Sequence, residues 1–374
     1  MLPSGELRVI VADVVPQGTP KEQLDVRMSE LISLVETLGG VVIVDTIQKR
    51  TRPDYRTYLG SGKIQEIKEA MQILDANVLI VGNVMKPKQT YTINEELHDI
   101  GAQCWDRVDL ILKIFDQHAQ STEAKMQIEL AAIKHMGPRI VGMGMELSRQ
   151  GGGGSGAMRG LGETNTEIMR RHLQQRRESL ESQLKEYEQM RKLHRDSRKR
   201  KGLPTIGLVG YTNAGKSTLL HALTNKEAYA EDKLFATLGT QVGSFFRYPP
   251  EHYGKPYEFL VSDTIGFIRD LPPQLIQAFR STLEDSVESD LLLHVIDSSD
   301  PQVYDKIQIV DDILDNIGAT QRRLYIFNQV DRTDPEVLKK LLHTYSDRSI
   351  VALSALQKEG IDNLKSTIYQ ILYA

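Results

Sequence analysis

The sequence predicts an α/β protein: an N-terminal parallel α/β domain, a long antiparallel helical hairpin and a C-terminal domain with a second open sheet. Three observations predict this order. Short apolar runs typical of strands alternate with helix-like runs at both ends of the chain, and a purely helical pattern separates them. Seven glycines within residues 151–162 interrupt that helical pattern. Alternating elements favour a parallel sheet, and two consecutive helices most simply pack antiparallel.

The N-terminal domain is placed at residues 1–116. The expected strands are Leu7–Val14, Val41–Ile47, Val78–Val81 and a short strand near Gln103–Asp106. The expected helices are Pro20–Leu38, Lys63–Leu74 and Thr92–Ile100. At the second helix, Gly60-Ser-Gly-Lys63 resembles the end of a phosphate-binding loop but lacks its first glycine. We favour a turn that enters the helix, and a weak second nucleotide site is the alternative.

The helical hairpin is placed at residues 117–201. Its first helix is expected from about Ala119 to Met136, because Pro138 would stop it. Its second helix is expected from Glu163 to Arg200. Apolar residues at helical spacing are available for packing between the two: Ile128, Ala131, Ile133, Leu173, Leu180, Leu184 and Tyr187. We interpret this spacing as packing and not as a ligand site.

Charge is distributed unevenly along the chain. The net charge is −4, which argues against a uniformly basic nucleic-acid binder, and no DNA partner is expected. Residues 137–201, however, hold 15 Lys and Arg against 8 Asp and Glu. This asymmetry indicates that one region contacts phosphate while the rest of the chain does not.

The glycine-rich tip of the hairpin is longer than two close-packed helices need for their connection. Such a tip could mould itself to an irregular RNA surface through backbone and phosphate contacts. The residues predicted to contact RNA are Arg149, Gly151, Gly152, Gly153, Gly154 and Arg159. The alternatives are a flexible linker for the tip and a solvated helix end for the basic run Arg191–Lys201.

A phosphate-binding motif opens the C-terminal domain, which is placed at residues 202–374. Gly210-Tyr-Thr-Asn-Ala-Gly-Lys-Ser217 fits the pattern GxxxxGK[ST]. It lies between a strand-like run and a helix-like run, which is the context that the motif requires. Its backbone N–H groups would point at one phosphate. Lys216 would contact the β- and γ-phosphates, and the Ser217 hydroxyl would bind magnesium.

Three further motifs follow in the order that a GTPase domain needs. Asp263-Thr-Ile-Gly266 fits DxxG, Asn328-Gln-Val-Asp331 resembles the guanine-reading NKxD, and Ser354-Ala-Leu356 resembles the loop that lines the base. Each follows an expected strand, and the carboxyl ends of strands are where open α/β sheets bind ligands. The four motifs together predict a P-loop GTPase (Ras-like) domain.

The predicted base and catalytic residues depart from the usual pattern at two positions. Asp331 would accept hydrogen bonds from the guanine edge, which predicts a preference for GTP. Gln329 stands where the motif has lysine, so we expect weakened affinity. Phe267 replaces the glutamine that orients water in Ras-like enzymes. The catalytic residue is therefore unknown from the sequence, and slow intrinsic turnover or a partner that completes the site is expected.

The metal ligands expected from these motifs are Ser217, Thr237 and, through water, Asp263. Thr237 is the switch I candidate, with Thr240 as second choice. An Asn at the position of Asn213 recurs in GTPases that use potassium, which makes K⁺ a second candidate cofactor beside Mg²⁺. The predicted nucleotide-binding residues are Gly210, Tyr211, Thr212, Asn213, Ala214, Gly215, Lys216, Ser217, Thr218, Phe235, Ala236, Thr237, Leu238, Asp263, Thr264, Ile265, Gly266, Asn328, Gln329, Asp331, Ser354, Ala355 and Leu356.

Composition is consistent with a cytoplasmic protein. Cys104 is the single cysteine, which excludes disulfides within the chain and suits a reducing compartment. The N-terminus lacks a signal pattern, and no apolar run reaches the length of a membrane span. A monomer is the simplest expectation.

Several segments together resemble the HflX family of ribosome-associated GTPases. They are Asp106–Phe115, Glu123–Leu130, Gly137–Arg139, the glycine run, Gly160–Glu167, Gly210–Ser217, Leu234–Leu238 and Asp263–Leu271. The resemblance covers nearly the whole chain. It implies binding to the 50S subunit and the 70S ribosome, with the hairpin tip near the peptidyl-transferase centre. It also implies separation of stalled or idle ribosomes into subunits, with ribosome-stimulated GTP hydrolysis. Phe267 also fits this family.

The chain departs from the family pattern in three places. Gly239-Thr240 stands where members often have Asp-Pro, Gln329 replaces lysine, and no additional C-terminal domain is expected after Ile361–Leu372. Two other hypotheses stay open. One is a nucleotide-gated RNA scaffold in subunit assembly, for which hydrolysis is incidental. The other is an ATP-using RNA remodeller that acts through Gly60–Lys63.

Overall fold

The computed structural model describes residues 6–119, 121–150, 157–200, 202–224, 242–247, 256–263, 266–269, 275 and 289–373. These residues form two compact units. The first contains the described chain up to Gln117 together with Lys125–Leu184. The second contains His118–Ala124 and the described chain from Lys185 onward. Among the described residues, no helix combines the length and the apolar character that crossing a membrane requires.

The sheet of the first unit contains four parallel strands in the order β2-β1-β3-β4. They are β1 (Arg8–Val15), β2 (Val41–Lys49), β3 (Val78–Val81) and β4 (Gln103–Asp106). The central strands β1 and β3 are almost wholly buried, whereas the edge strand β2 is half-buried. Continuous apolar runs in β1 and β3 fit this position, because helices cover both faces of a parallel sheet.

Four helices follow these strands: α1 (Lys21–Thr37), α2 (Ser61–Leu74), α3 (Pro87–Leu97) and α4 (Arg107–His118). Helices α2 and α3 pack Ile64, Ile67 and Ile93 against the sheet in one apolar cluster. The sequence did not predict α4, and α3 begins before the expected Thr92. Eight of the twelve residues of α4 are buried, which is more than the single apolar stripe that identifies a surface helix.

The hairpin consists of α5 (Thr122–Gln150) and α6 (Ala157–Arg200). Lys134 pairs with Glu181 at 3.3 Å, whereas Gly137 lies near Leu173, so the two helices run antiparallel. The predicted stop at Pro138 is wrong, because α5 continues through it. A proline removes one backbone hydrogen bond, at a cost of about 3 kcal/mol, which a helix packed against a partner can bear. Helix α6 also begins before the expected Glu163.

The second unit contains a six-stranded sheet in the order β10-β9-β8-β5-β7-β6. The strands are β5 (Thr205–Gly210), β6 (Val242–Arg247), β7 (Tyr257–Ser262), β8 (Leu291–Asp297), β9 (Arg323–Asn328) and β10 (Ser349–Ala352). All described neighbours pair in parallel except β6, which is antiparallel to β7. The described helices are α7 (Lys216–Thr224), Val303–Asn316, Pro335–Thr344 and Ile361–Tyr373. This order brings the carboxyl ends of β5, β7, β9 and β10 to one edge, where all four motifs lie.

Candidate nucleotide-binding site

The phosphate loop runs from the end of β5 into α7, and two glycines allow its close packing. Gly210 has φ +155°, and a Cβ there would overlap the carbonyl oxygen of Val295 in β8. Gly215 has φ +89°, and a Cβ there would overlap the amide of Asn328. Left-handed backbone and close approach both exclude larger residues at these positions. The loop is therefore built against β8 and the Asn328 loop.

Lys216 is buried at the centre of this loop. Its Nζ donates hydrogen bonds to the carbonyl oxygens of Gly210 at 3.2 Å and Tyr211 at 2.8 Å. Burial lowers the pKa of Lys216 to about 8, against the opposing effect of the Asp263 carboxylate. A buried ammonium held mainly by neutral carbonyls has a poorly compensated charge. A phosphate placed over the loop would supply the missing negative charge.

Ser217 and Asp263 lie together beside Lys216. The Ser217 hydroxyl donates to Asp263 Oδ2 at 2.9 Å, and Asp263 is fully buried. A hydroxyl and a carboxylate are the hard oxygen donors that magnesium prefers. The two side chains present at this position therefore fit a magnesium ion, as the DxxG and GK[ST] motifs require.

Gly266 closes the opposite side of the loop. A Cβ at Gly266 would lie 2.9 Å from Lys216 Nζ and 2.8 Å from Thr212 Cγ2. The backbone at Gly266 therefore passes so close to the phosphate loop that a larger residue there would require the loop to shift.

Phe267 is fixed by backbone hydrogen bonds to the same loop. Its N–H donates to Gly210 O at 3.1 Å, and its carbonyl accepts from Thr212 N at 2.8 Å. Its side chain is 1 % exposed, so the ring packs in the core. Arg269 N donates to the Tyr211 hydroxyl at 2.7 Å, which extends the attachment. The residue that replaces the water-orienting glutamine is therefore a packing residue.

Asn328 connects three loops through one buried amide. Its Nδ2 donates to Ala214 O at 2.9 Å, and its Oδ1 accepts from Ala355 N at 3.0 Å. The end of β9 is thereby joined to the phosphate loop after β5 and to the Ser354 loop after β10. Gln329, at φ +62°, donates weakly from Nε2 to Asn213 O at 3.4 Å. The glutamine thus keeps a contact with the phosphate loop.

The remaining predicted residues fall into two groups. Asp331 is exposed, Ser354 is buried and Leu356 is 70 % exposed. Seven predicted nucleotide, metal or switch residues lie outside the described residues: Phe235, Ala236, Thr237, Leu238, Thr240, Thr264 and Ile265. The tip residues Gly151–Gly154 also lie outside them. Arg149 belongs to helix α5, and Arg159 belongs to helix α6.

Sequence reasoning missed a polar network behind the phosphate loop. His294 in β8 lies fully buried beside a cavity of about 50 Å³ that Tyr211, Thr212 and Asn213 also line. Its Nδ1 is 3.5 Å from Asp311 Oδ1, and Asp311 Oδ2 accepts from the Tyr325 hydroxyl at 2.9 Å. A histidine within the apolar run of β8 was the only signal in that strand.

Asn328 joins the loop after β9 to the phosphate loop, which a general phosphate site does not require. This arrangement identifies the domain as a P-loop GTPase. The GTPase HflX of Caldanaerobacter subterraneus subsp. tengcongensis is 38 % identical over 367 residues, which cover 98 % of this chain and 81 % of the relative. The chain belongs to the HflX family of GTPases. The GTPase HflX of Escherichia coli is 37 % identical over 329 residues, covering 88 % of this chain and 74 % of the relative.

Family models and a solved structure agree with this assignment. Residues 25–116 match the GTP-binding GTPase N-terminal model, residues 118–198 the GTP-binding GTPase middle region, and residues 205–329 the 50S ribosome-binding GTPase model. The crystal structure of SsGBP in complex with GDP is similar, with a TM-score of 0.54, 28 % identity and 98 % of both chains covered. The α/β class and the GTPase activity expected from the sequence are thus confirmed.

Proposed function

We propose that this GTPase binds the large ribosomal subunit and the 70S ribosome, separates stalled or idle ribosomes into subunits, and hydrolyses GTP fastest on the ribosome. The observation that carries the proposal is the buried ring of Phe267, which stands where Ras-like enzymes have the water-orienting glutamine. A phenyl ring cannot orient water, so intrinsic turnover is slow and a partner completes the site. The match of residues 205–329 to a 50S ribosome-binding GTPase model supports the ribosome as that partner.

In this proposal the phosphate loop positions the β- and γ-phosphates. Lys216 exchanges its contacts with the carbonyls of Gly210 and Tyr211 for phosphate oxygens, because phosphate compensates the buried ammonium charge. Ser217 and Asp263 would hold magnesium, the latter through water, and Thr237 would complete the metal site. Magnesium, when bound, neutralises charge on the phosphate oxygens. Asn213 is the proposed potassium ligand.

Guanine recognition is assigned to the loops after β9 and β10. Asp331 accepts hydrogen bonds from the guanine edge, whereas Asn328 holds the two loops against the phosphate loop. Ser354, Ala355 and Leu356 line the base. This arrangement makes the placement of the base-recognition loops depend on Asn328, which also fixes the phosphate loop.

The hairpin is assigned to the ribosome. In this proposal, GTP binding orders Thr237 and the segment Asp263–Gly266. The tip between Arg149 and Arg159 then contacts ribosomal RNA. Hydrolysis of GTP releases the protein. We propose three domains at 1–116, 117–201 and 202–374, and a monomer that acts in the cytoplasm.

The test compares GTP hydrolysis alone and with purified 50S subunits in potassium buffer. We expect strong stimulation that disappears in Lys216→Ala and in a variant lacking residues 151–162. Loss of stimulation in the tip variant, with nucleotide affinity retained, places the hairpin in the coupling. Binding without stimulation would favour a nucleotide-gated scaffold in subunit assembly. Absence of 50S binding would overturn the proposal.

A further inference from the structure

Five cations and one tyrosine lie at the carboxyl edge of the first sheet, at the end of β2, in the loop after it and around the start of α3. They are exposed in the structure, and we call them the cationic platform: Lys49, Arg52, Tyr55, Arg56, Lys86 and Lys88. Tyr55 is 80 % exposed, and Lys86 Nζ lies 5.9 Å from the centre of its ring. Within the part of the chain that the structure describes, none of these five cations forms an ion pair. Within the described residues, the positive charge of the platform is therefore not neutralised by an acidic partner and is accessible to a ligand.

The loop that carries Tyr55 has a fixed shape. Asp54 Oδ1 accepts from Arg56 N at 2.8 Å and from Thr57 N at 3.2 Å. Asp54 and Tyr58 exchange two backbone hydrogen bonds, at 2.8 and 3.0 Å, and Tyr58 adopts φ +64°. The exposed ring thus stands on a preformed turn, which lowers the entropic cost of ligand binding.

Two further side chains hold this turn from both sides. The buried Gln89 donates from Nε2 to the carbonyl oxygens of Asp54 at 2.9 Å and Tyr55 at 3.3 Å, which joins the turn to α3. Arg50 donates to Arg52 O at 3.3 Å and lies 3.9 Å from Asp54 Oδ2. Arg50 is therefore used inside the loop, whereas the five platform cations point to solvent.

We propose that the cationic platform binds single-stranded RNA, with a base stacked on Tyr55 and phosphates at Arg52, Arg56 and Lys86. An exposed aromatic ring among cations is the arrangement that sequence-tolerant single-strand binding uses. The inference rests on the proposed ribosomal function, to which it adds a second RNA contact apart from the glycine-rich tip.

The neighbouring segment Gly60–Lys63 is not part of the cationic platform. It forms the first turn of α2, as the turn interpretation predicts, with Gly60 at the N-cap. Lys63 Nζ pairs with Glu66 at 2.8 Å and lies 3.4 Å from Thr46 Oγ1. This lysine already has an acidic partner, whereas the platform cations have none in the described chain.

The test measures binding of the full-length chain to a labelled oligouridine of about 12 nucleotides. We expect Tyr55→Ala to weaken binding by roughly five- to 100-fold, because the platform for the stacked base is removed. Tyr55→Phe should bind within about twofold of the unmodified chain, because the stacking face is retained. Ile73→Ala, at a position that is 81 % exposed, is the matched control and should change nothing.

A second pair of variants tests the phosphate contacts. Arg52→Gln with Arg56→Gln should reduce the slope of log affinity against log salt by about 0.7 for each phosphate that the variant no longer binds. Lys339→Gln with Lys340→Gln removes the same charge from an exposed helix of the second unit and should leave the slope unchanged.

The outcomes separate this inference from the proposed function. Equal RNA binding by Tyr55→Ala and Ile73→Ala overturns the inference. Platform-dependent binding to 50S subunits without binding to oligouridine or to protein-free ribosomal RNA also overturns it, because a ribosomal protein would then be the partner. Platform-dependent RNA binding by a chain that does not bind 50S subunits supports the inference and overturns the proposed function.

Discussion

Phe267 packs in the core at the position where Ras-like enzymes have the water-orienting glutamine. Both its backbone groups bond to the phosphate loop, and its ring is buried. We expect Phe267→Ala to lower the free energy of unfolding by about 3–5 kcal/mol, because removal of a buried phenyl ring leaves a cavity. Urea unfolding measures this change. Phe267→Leu, which retains apolar volume, should cost less and keep the intrinsic hydrolysis rate. A faster rate in Phe267→Gln would show that the position faces the attacking water, against our interpretation.

Gln329 sets the strength of the contact between the base loop and the phosphate loop. Its amide donates to Asn213 O at 3.4 Å, which is a long and therefore weak hydrogen bond. We expect Gln329→Lys to tighten GDP binding by about fivefold, since a charged donor is worth about 1 kcal/mol more than a neutral one. Equilibrium titration with labelled GDP gives the value. Gln72→Lys, on the exposed surface of α2, adds the same charge elsewhere, so equal effects of both variants would contradict a local role.

At the scale of elements, His294, Asp311 and Tyr325 form a polar network between β8, β9 and the helix Val303–Asn316. This network makes the free energy of unfolding depend on pH. Burial lowers the pKa of His294 below 6.5, against the opposing effect of Asp311, so this histidine is neutral in the folded protein. The unfolded chain binds the proton more readily, and stability therefore rises with pH until about 6.5. As pH falls below 6.5, we expect stability to decrease until the lowered folded pKa is reached.

Unfolding by urea between pH 5 and 8 checks this dependence. His294→Gln should remove the part of the pH dependence that lies just below 6.5, whereas the exposed His172→Gln should keep it. The lowered pKa of Asp311 acts in a more acidic window, because burial opposes but does not cancel its bonds to His294 and Tyr325. An unchanged profile in His294→Gln would mean that another group carries the dependence.

The elements also show what the sequence could and could not predict. The strands that precede the four motifs lie where the sequence predicts them, because strand, loop and glycine patterns are local signals. Helix α4 and strand β8 were missed, since buried elements lack the alternation that marks a half-exposed face. The stop at Pro138 was wrong because α5 has a helical partner that a local rule ignores. The contact of Asn328 with Ala214 joins residues distant in sequence, which no local pattern shows.

At the scale of the whole molecule, the charge balance of residues 137–201 differs from that of the rest of the chain. Residues 137–201 carry 15 basic and 8 acidic residues, whereas the net charge of the chain is −4. If this region meets ribosomal RNA, ribosome affinity falls steeply with salt, because each phosphate contact releases counterions. Nucleotide affinity should be insensitive to substitutions in this region, since the proposed GTP site lies in the loops after β5, β7, β9 and β10.

The basic end of α6 allows that separation to be tested. Lys192→Gln with Arg200→Gln removes two exposed charges, and we expect the log–log salt slope for 50S binding to fall by about 1.4–1.8. GDP affinity should stay within about twofold, which is a change of only about 0.4 kcal/mol in binding free energy. Lys339→Gln with Lys340→Gln is the charge-matched control. If both pairs leave the slope unchanged while 50S binding persists, the end of α6 is a solvated helix end, and the tip and the cationic platform must supply the phosphate contacts.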